Sequence, residues 1–104
     1  MKTDYINIAE HTGISEKDIL EIKNYLFIDK HDLTEGNKRF DSSFYIAQSW
    51  QRLIDGNEIK KQDIILLNHE LTELSLVKNG VSQDDAHITA SKKFNYTEAI
   101  MKGE

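Results

Sequence analysis

Not one of the 104 residues is proline. Proline interrupts helix interiors and central strands because it lacks the backbone donor, so long regular elements are open to this chain everywhere. What punctuates it is glycine. Gly13, Gly56 and Gly80 each close a stretch with helical apolar spacing, and glycine takes the left-handed conformation past a helix end at little cost. Ser15 is placed to cap a second helix, with Asp18 three residues on and Ile19, Ile22, Leu26 and Phe27 as its apolar stripe. Asp41 or Ser42 would cap a third, with Tyr45, Ile46, Trp50, Leu53 and Ile54 facing inward. The longest helix runs from Lys61–Asp63 to Gly80. Another spans Ser82 to about Phe94, and Asn95 or Thr97 starts a last turn. No strand or hairpin pattern occurs. The expected fold is all-α, a compact single domain of five or six short helices over residues 1–104.

Residues 28–41 break this rhythm. They lack periodicity and contain Gly36-Asn37, which is turn chemistry. A loop of that length is often functional.

Composition excludes several classes. There is no cysteine, so disulfide frameworks, thiolate zinc sites and cysteine nucleophiles fall away. No apolar run approaches the roughly 20 residues that span a bilayer, and Met1–Tyr5 lacks a signal peptide's apolar segment. The expectation is a cytoplasmic protein with no membrane attachment. Thirteen basic against eighteen acidic residues leave a formal charge of −5, which disfavours a broad electrostatic grip on nucleic acid. Residues 6–27 have the outline of a helix-turn-helix. The exposed face of the second helix, with Glu16, Lys17, Asp18 and Glu21, is mixed and acidic rather than the face that reads bases.

The chemistry-bearing pattern lies on the longest helix. His69, Glu70 and Glu73 form a His-Glu-x-x-Glu sequence in which His69 and Glu73 share a face and Glu70 adjoins both. Leu66, Glu70, Glu73 and Val77 form one row, and Ile65, His69, Thr72 and Leu76 the next. The polar groups therefore sit beside or within the apolar face. Half-buried carboxylates are costly unless paired, and they recur both at active sites and in structural networks. The zinc-protease pattern would need histidine where Glu73 stands. A histidine and a glutamate from one helix with a third ligand from elsewhere would suit zinc or manganese, but the expectation is a site without metal or other cofactor. His87 follows a short turn at Gly80-Val81, so antiparallel packing would bring it to Glu73 as an oriented general base. In the irregular segment, His31 with Lys38 and Arg39 suits a phosphodiester: proton transfer plus charge stabilisation.

Four blocks, taken together, resemble a known family. They are Ile22-Lys23-Asn24-Tyr25-Leu26-Phe27 with His31 and Leu33; Arg39-Phe40-Asp41 with Ile46 to Leu53; Asp63 to Glu70 with Glu73; and Ala86-His87, Ala90 and Phe94-Asn95-Tyr96. In this order they resemble the small C-terminal toxin-type domains of bacterial polymorphic toxins and of some phage head-morphogenesis proteins, over most of residues 14–96. The resemblance implies a helical effector domain whose active site is shared by the histidines and glutamates. It does not specify the reaction.

The leading expectation is a toxin-type effector acting as a metal-independent nuclease on RNA. His31, His69, Glu70, Glu73 and His87 would be catalytic, and Lys38 and Arg39 would hold the substrate. A cognate immunity protein or a host protein would be the partner. The alternative is a non-enzymatic phage or bacterial protein that regulates a host protein through its acidic surface, anchored by aromatics near Phe40, Phe44 and Tyr45.

Overall fold

The computed structural model of the chain describes residues 4–29 and 42–103. Among the described residues there are six α-helices: α1 (Asp4–Thr12), α2 (Glu16–Asn24), α3 (Ser42–Asp55), α4 (Lys61–Lys78), α5 (Gln83–Lys93) and α6 (Tyr96–Lys102). A π-helical turn, Tyr25–Asp29, extends α2. No strand occurs among the described residues. The chain is all-α, as its spacing predicts.

Local chemistry sets the helix ends. The Ser15 hydroxyl accepts from the Asp18 amide at 3.1 Å, the Ser82 hydroxyl from the Asp85 amide at 3.2 Å, and the Asn95 carbonyl from the Glu98 amide at 2.9 Å. Each satisfies one of the backbone donors that a helix start leaves open. At the end of α3, Gly56 has a φ of 73°, and a Cβ there would lie 2.6 Å from the His11 ring. His11 in turn donates through Nδ1 to the Leu53 carbonyl at 2.8 Å. The ends of α1 and α3 are clasped at a point where only glycine fits.

At the other end of α1, the Asp4 carboxylate is buried and accepts from Trp50 Nε1 at 3.0 Å, Lys23 Nζ at 2.8 Å and the Tyr5 amide at 2.8 Å. Burial works to raise its pKa, but the bonds from Lys23, Trp50 and Tyr5 outweigh it and hold the group below its ordinary value. One carboxylate thus ties α1, α2 and α3 together.

The apolar core comprises Ile8, Ala9, Ile19, Ile22, Leu26, Trp50, Leu53 and Leu67. The predicted stripes are partly corrected. Phe27 is 47% exposed and meets Trp50 edge-to-face at 5.4 Å, because the wider π turn carries it off the stripe of α2. On α3, Tyr45, Ile46 and Ile54 are half-buried, whereas Ser49 is wholly buried.

The central element is α4, which packs against α2, α3, α5 and α6. Its buried side consists of Gln62, Asp63, Leu66, Leu67, His69, Glu70 and Glu73, so polar residues outnumber apolar ones. Near its start, Arg52 of α3 grips Asp63 with two bonds, Nε to Oδ2 at 2.8 Å and Nη2 to Oδ1 at 2.6 Å. The Lys60 amide donates to the same carboxylate at 2.8 Å. Nη2 also reaches Gln62 Oε1 at 3.3 Å and the Ser49 hydroxyl at 3.4 Å, and that hydroxyl lies 2.7 Å from the Tyr96 hydroxyl. Burial pushes the Tyr96 phenol up to about 12. This first polar cluster is a closed ion pair that fixes α3 and α6 onto α4.

Candidate functional site

Ten residues further along α4 lies a second buried carboxylate, Glu73, wholly inaccessible to solvent. The Gly80 turn folds α5 back against α4, and this brings His87 to Glu73, as the short connection predicts. His87 Nδ1 lies 2.9 Å from Glu73 Oε1. His69, one turn before Glu73 on the same face, places Nε2 3.1 Å from that same oxygen. The two imidazoles meet edge-on, with ring centres 5.0 Å apart. The other carboxylate oxygen, Oε2, accepts a short bond from the Tyr25 hydroxyl. Glu70 is also buried, with Oε2 3.8 Å from His69 Nε2.

Protonation can be read from the partners. His69 Nδ1 lies 2.9 Å from the Phe94 carbonyl. A carbonyl only accepts, so Nδ1 carries hydrogen. Nε2 then faces a carboxylate oxygen, and two lone pairs at 3.1 Å repel. A hydrogen therefore lies between them, on one atom or the other. Against the carboxylate, His87 Nδ1 is the donor, so in the neutral ring the lone pair is on Nε2.

Exposure separates the roles. The side chains of His69 and Glu73 are 4% and 0% exposed, whereas that of His87 is 51% exposed. The site is thus a buried carboxylate, oriented by His69 and Tyr25, holding a half-exposed imidazole at the surface. Burial and then the bond to Glu73 push the Tyr25 phenol far above its ordinary range, with the Glu73 and Glu70 charges acting in the same direction. Tyr25 therefore stays protonated and serves Glu73 as a donor throughout the physiological range.

Of the residues predicted from sequence, the fold brings His69, Glu70, Glu73 and His87 into one cluster. His31, Lys38 and Arg39 lie outside the described residues. Three contributors are missing from the sequence expectation: Tyr25, the Phe94 carbonyl, and the Gln83 side chain, which bonds the Tyr25 hydroxyl. Tyr25 carried one available signal, since it falls three residues after Ile22, at a buried register of α2. The arrangement supports two kinds of chemistry, proton transfer at His87 and metal ligation, because His69, Glu73 and His87 each offer a donor atom within 4.8 Å of the others. No helix among the described residues is long and apolar enough to cross a membrane. No protein family, curated protein or solved structure matches the chain.

Proposed function

We propose that the chain is a small effector-type enzyme that cleaves RNA by proton transfer, with His87 as general base and Glu73 as the residue that orients it. The observation that supports this reading is the single oxygen, Glu73 Oε1, shared by a buried and a half-exposed imidazole. A carboxylate behind Nδ1 fixes the tautomer, directs Nε2 outward and stabilises the imidazolium that forms on protonation. RNA suits so small a site because it contains its own nucleophile. The base takes the proton of a 2′-hydroxyl, the 2′-oxygen attacks phosphorus, and the 5′-oxygen leaves with a proton from an acid. The products are a 2′,3′-cyclic phosphate and a 5′-hydroxyl. His69, Glu70 and Tyr25 are positioning residues in this scheme. His31 is its candidate acid, and Lys38 and Arg39 its candidate phosphate holders.

The test is RNA cleavage in the presence of a chelator, together with bacterial growth under tightly induced expression. His87→Ala and Glu73→Gln, at equal soluble levels, are expected to lose about 100-fold or more in cleavage rate and to relieve growth arrest. Full activity in both variants overturns the assignment. The second reading, a protein that regulates a cytoplasmic host partner through its acidic surface, is favoured by the exposure of Phe44 (59%) on a chain of charge −5. It predicts stoichiometric recovery of a basic partner that Phe44→Ala releases. No recovered partner counts against it.

A further inference from the structure

We propose that His69, Glu73 and His87 bind one zinc-like divalent cation, which enters where a proton otherwise bridges His69 and Glu73. Two imidazoles and one carboxylate form the donor set of zinc sites that leave a fourth position open. In a tetrahedral site with bonds of roughly 2.0–2.1 Å, ligand atoms stand about 3.3 Å apart. The separations here are 3.1 Å for His69 Nε2 to Glu73 Oε1 and 2.9 Å for His87 Nδ1 to the same oxygen. The three donor atoms all lie within 4.8 Å of one another, so the ion is admitted once the half-exposed His87 ring and the His69 ring draw together around it.

The surroundings are already those of a metal site. Metal-ligating histidines generally donate their other nitrogen to a carbonyl or carboxylate, and ligating carboxylates are themselves hydrogen-bonded. His69 Nδ1 donates to the Phe94 carbonyl, and Tyr25 donates to Glu73 Oε2. Both ligands from α4 are thus aimed and held before any ion arrives. Glu70, 3.8 Å from His69 Nε2 and 2% exposed, adds a second buried carboxylate to the field that the cation meets. His87, half-exposed, is the side through which the ion enters.

The proton balance is explicit. His69 gives up the hydrogen shared with Glu73, so one proton is released per ion bound. His87 coordinates through Nδ1, and its remaining hydrogen moves to Nε2. His87 then has no lone pair to act as a base, so the ion silences the proton-transfer chemistry proposed above. The groups facing the ion are His69, Glu70 and Glu73 from α4, His87 from α5 and Tyr25 from the π turn. The inference does not depend on RNA cleavage, since binding is read without activity.

The experiment is titration of chelator-stripped full-length protein with Co²⁺, followed by displacement with Zn²⁺. The expected result is a visible absorption band of a low-coordinate cobalt site, saturating at one ion per chain and bleached by zinc. At a hundredfold excess over the dissociation constant, zinc should raise the Tm by about 10 °C or more. His87→Ala, whose half-exposed site tolerates truncation, should weaken binding by about 100-fold. Glu73→Gln should abolish the band. Absence of a band and of a Tm shift at millimolar metal overturns the proposal, as does unchanged affinity in His87→Ala. Cobalt binding by a protein that cleaves no RNA even when stripped of metal by a chelator would overturn the cleavage reading alone. Cleavage without cobalt binding would overturn this inference alone.

Discussion

Asp63 and Glu73 stand on the same helix, both wholly buried, and they are satisfied in opposite ways. Asp63 faces a guanidinium that never gives up its charge and a backbone amide. Nothing in that cluster has a proton to lose at physiological pH. Glu73 faces two imidazoles and a phenol, and an imidazole nitrogen can hold either a proton or a metal ion. The first arrangement locks helices together. The second holds a charge that is compensated only while protons, or an ion, are in place. Burial of a carboxylate does not by itself mark a site; the chemistry of its partners does.

The comparison is broken most severely at its rigid end. Arg52→Ala leaves Asp63 buried without its cation, and the expected cost is about 3–5 kcal/mol of unfolding free energy, measured by urea denaturation. Arg52→Met with Asp63→Leu should recover much of that loss, because the double replacement removes the orphaned charge. No comparable recovery in the double variant would mean that the cluster contributes more than charge balance.

Tyr25→Phe removes one donor from Glu73, with an expected cost of about 1–2 kcal/mol. It should also change the alkaline limb. The phenol's folded pKa is raised, so its contribution is complete below the unfolded value of about 10 and is lost as pH rises above it. The wild type should therefore lose stability above pH 10 more steeply than Tyr25→Phe. Parallel limbs in the two proteins would place the titrating group elsewhere, with Tyr96 the next candidate.

The smallest expected effect on stability is the most informative. His87→Ala truncates a half-exposed side chain and should change unfolding free energy by no more than about 1 kcal/mol, while removing the proposed activity. A loss as large as that of Arg52→Ala would make the second cluster structural like the first.

The helices were legible in the sequence because their ends are set locally, by Ser15, Ser82 and Asn95 at the starts and by Gly13, Gly56 and Gly80 at the stops. The pairing of His69 with Glu73 follows from helical spacing, and the approach of His87 from a short turn between two helices. Tyr25 was not legible as a site residue, because its bond to Glu73 joins positions 48 apart in sequence and depends on how α2 packs across α4. Nor was the Arg52–Asp63 pair. Charged residues near helix ends ordinarily read as solvated, and only the convergence of α3, α4 and α6 buries Asp63 and draws the partly exposed Arg52 onto it. The Phe94 carbonyl has no side-chain signature at all, although it decides the tautomer of His69.

The π turn that begins at Tyr25 bears on how this molecule tolerates change in length. In an α-helix, adding one residue rotates everything beyond it by roughly 100°. A π turn is the form such an insertion takes when the helix absorbs it locally. Ile19 and Ile22 keep their buried places before the turn, and the surplus residue is taken up after them. Deleting Phe27 would restore α-helical pitch over Tyr25–Asp29 while leaving every named donor in the sequence. Within this turn a change in length, unlike a single replacement, alters the helical pitch itself.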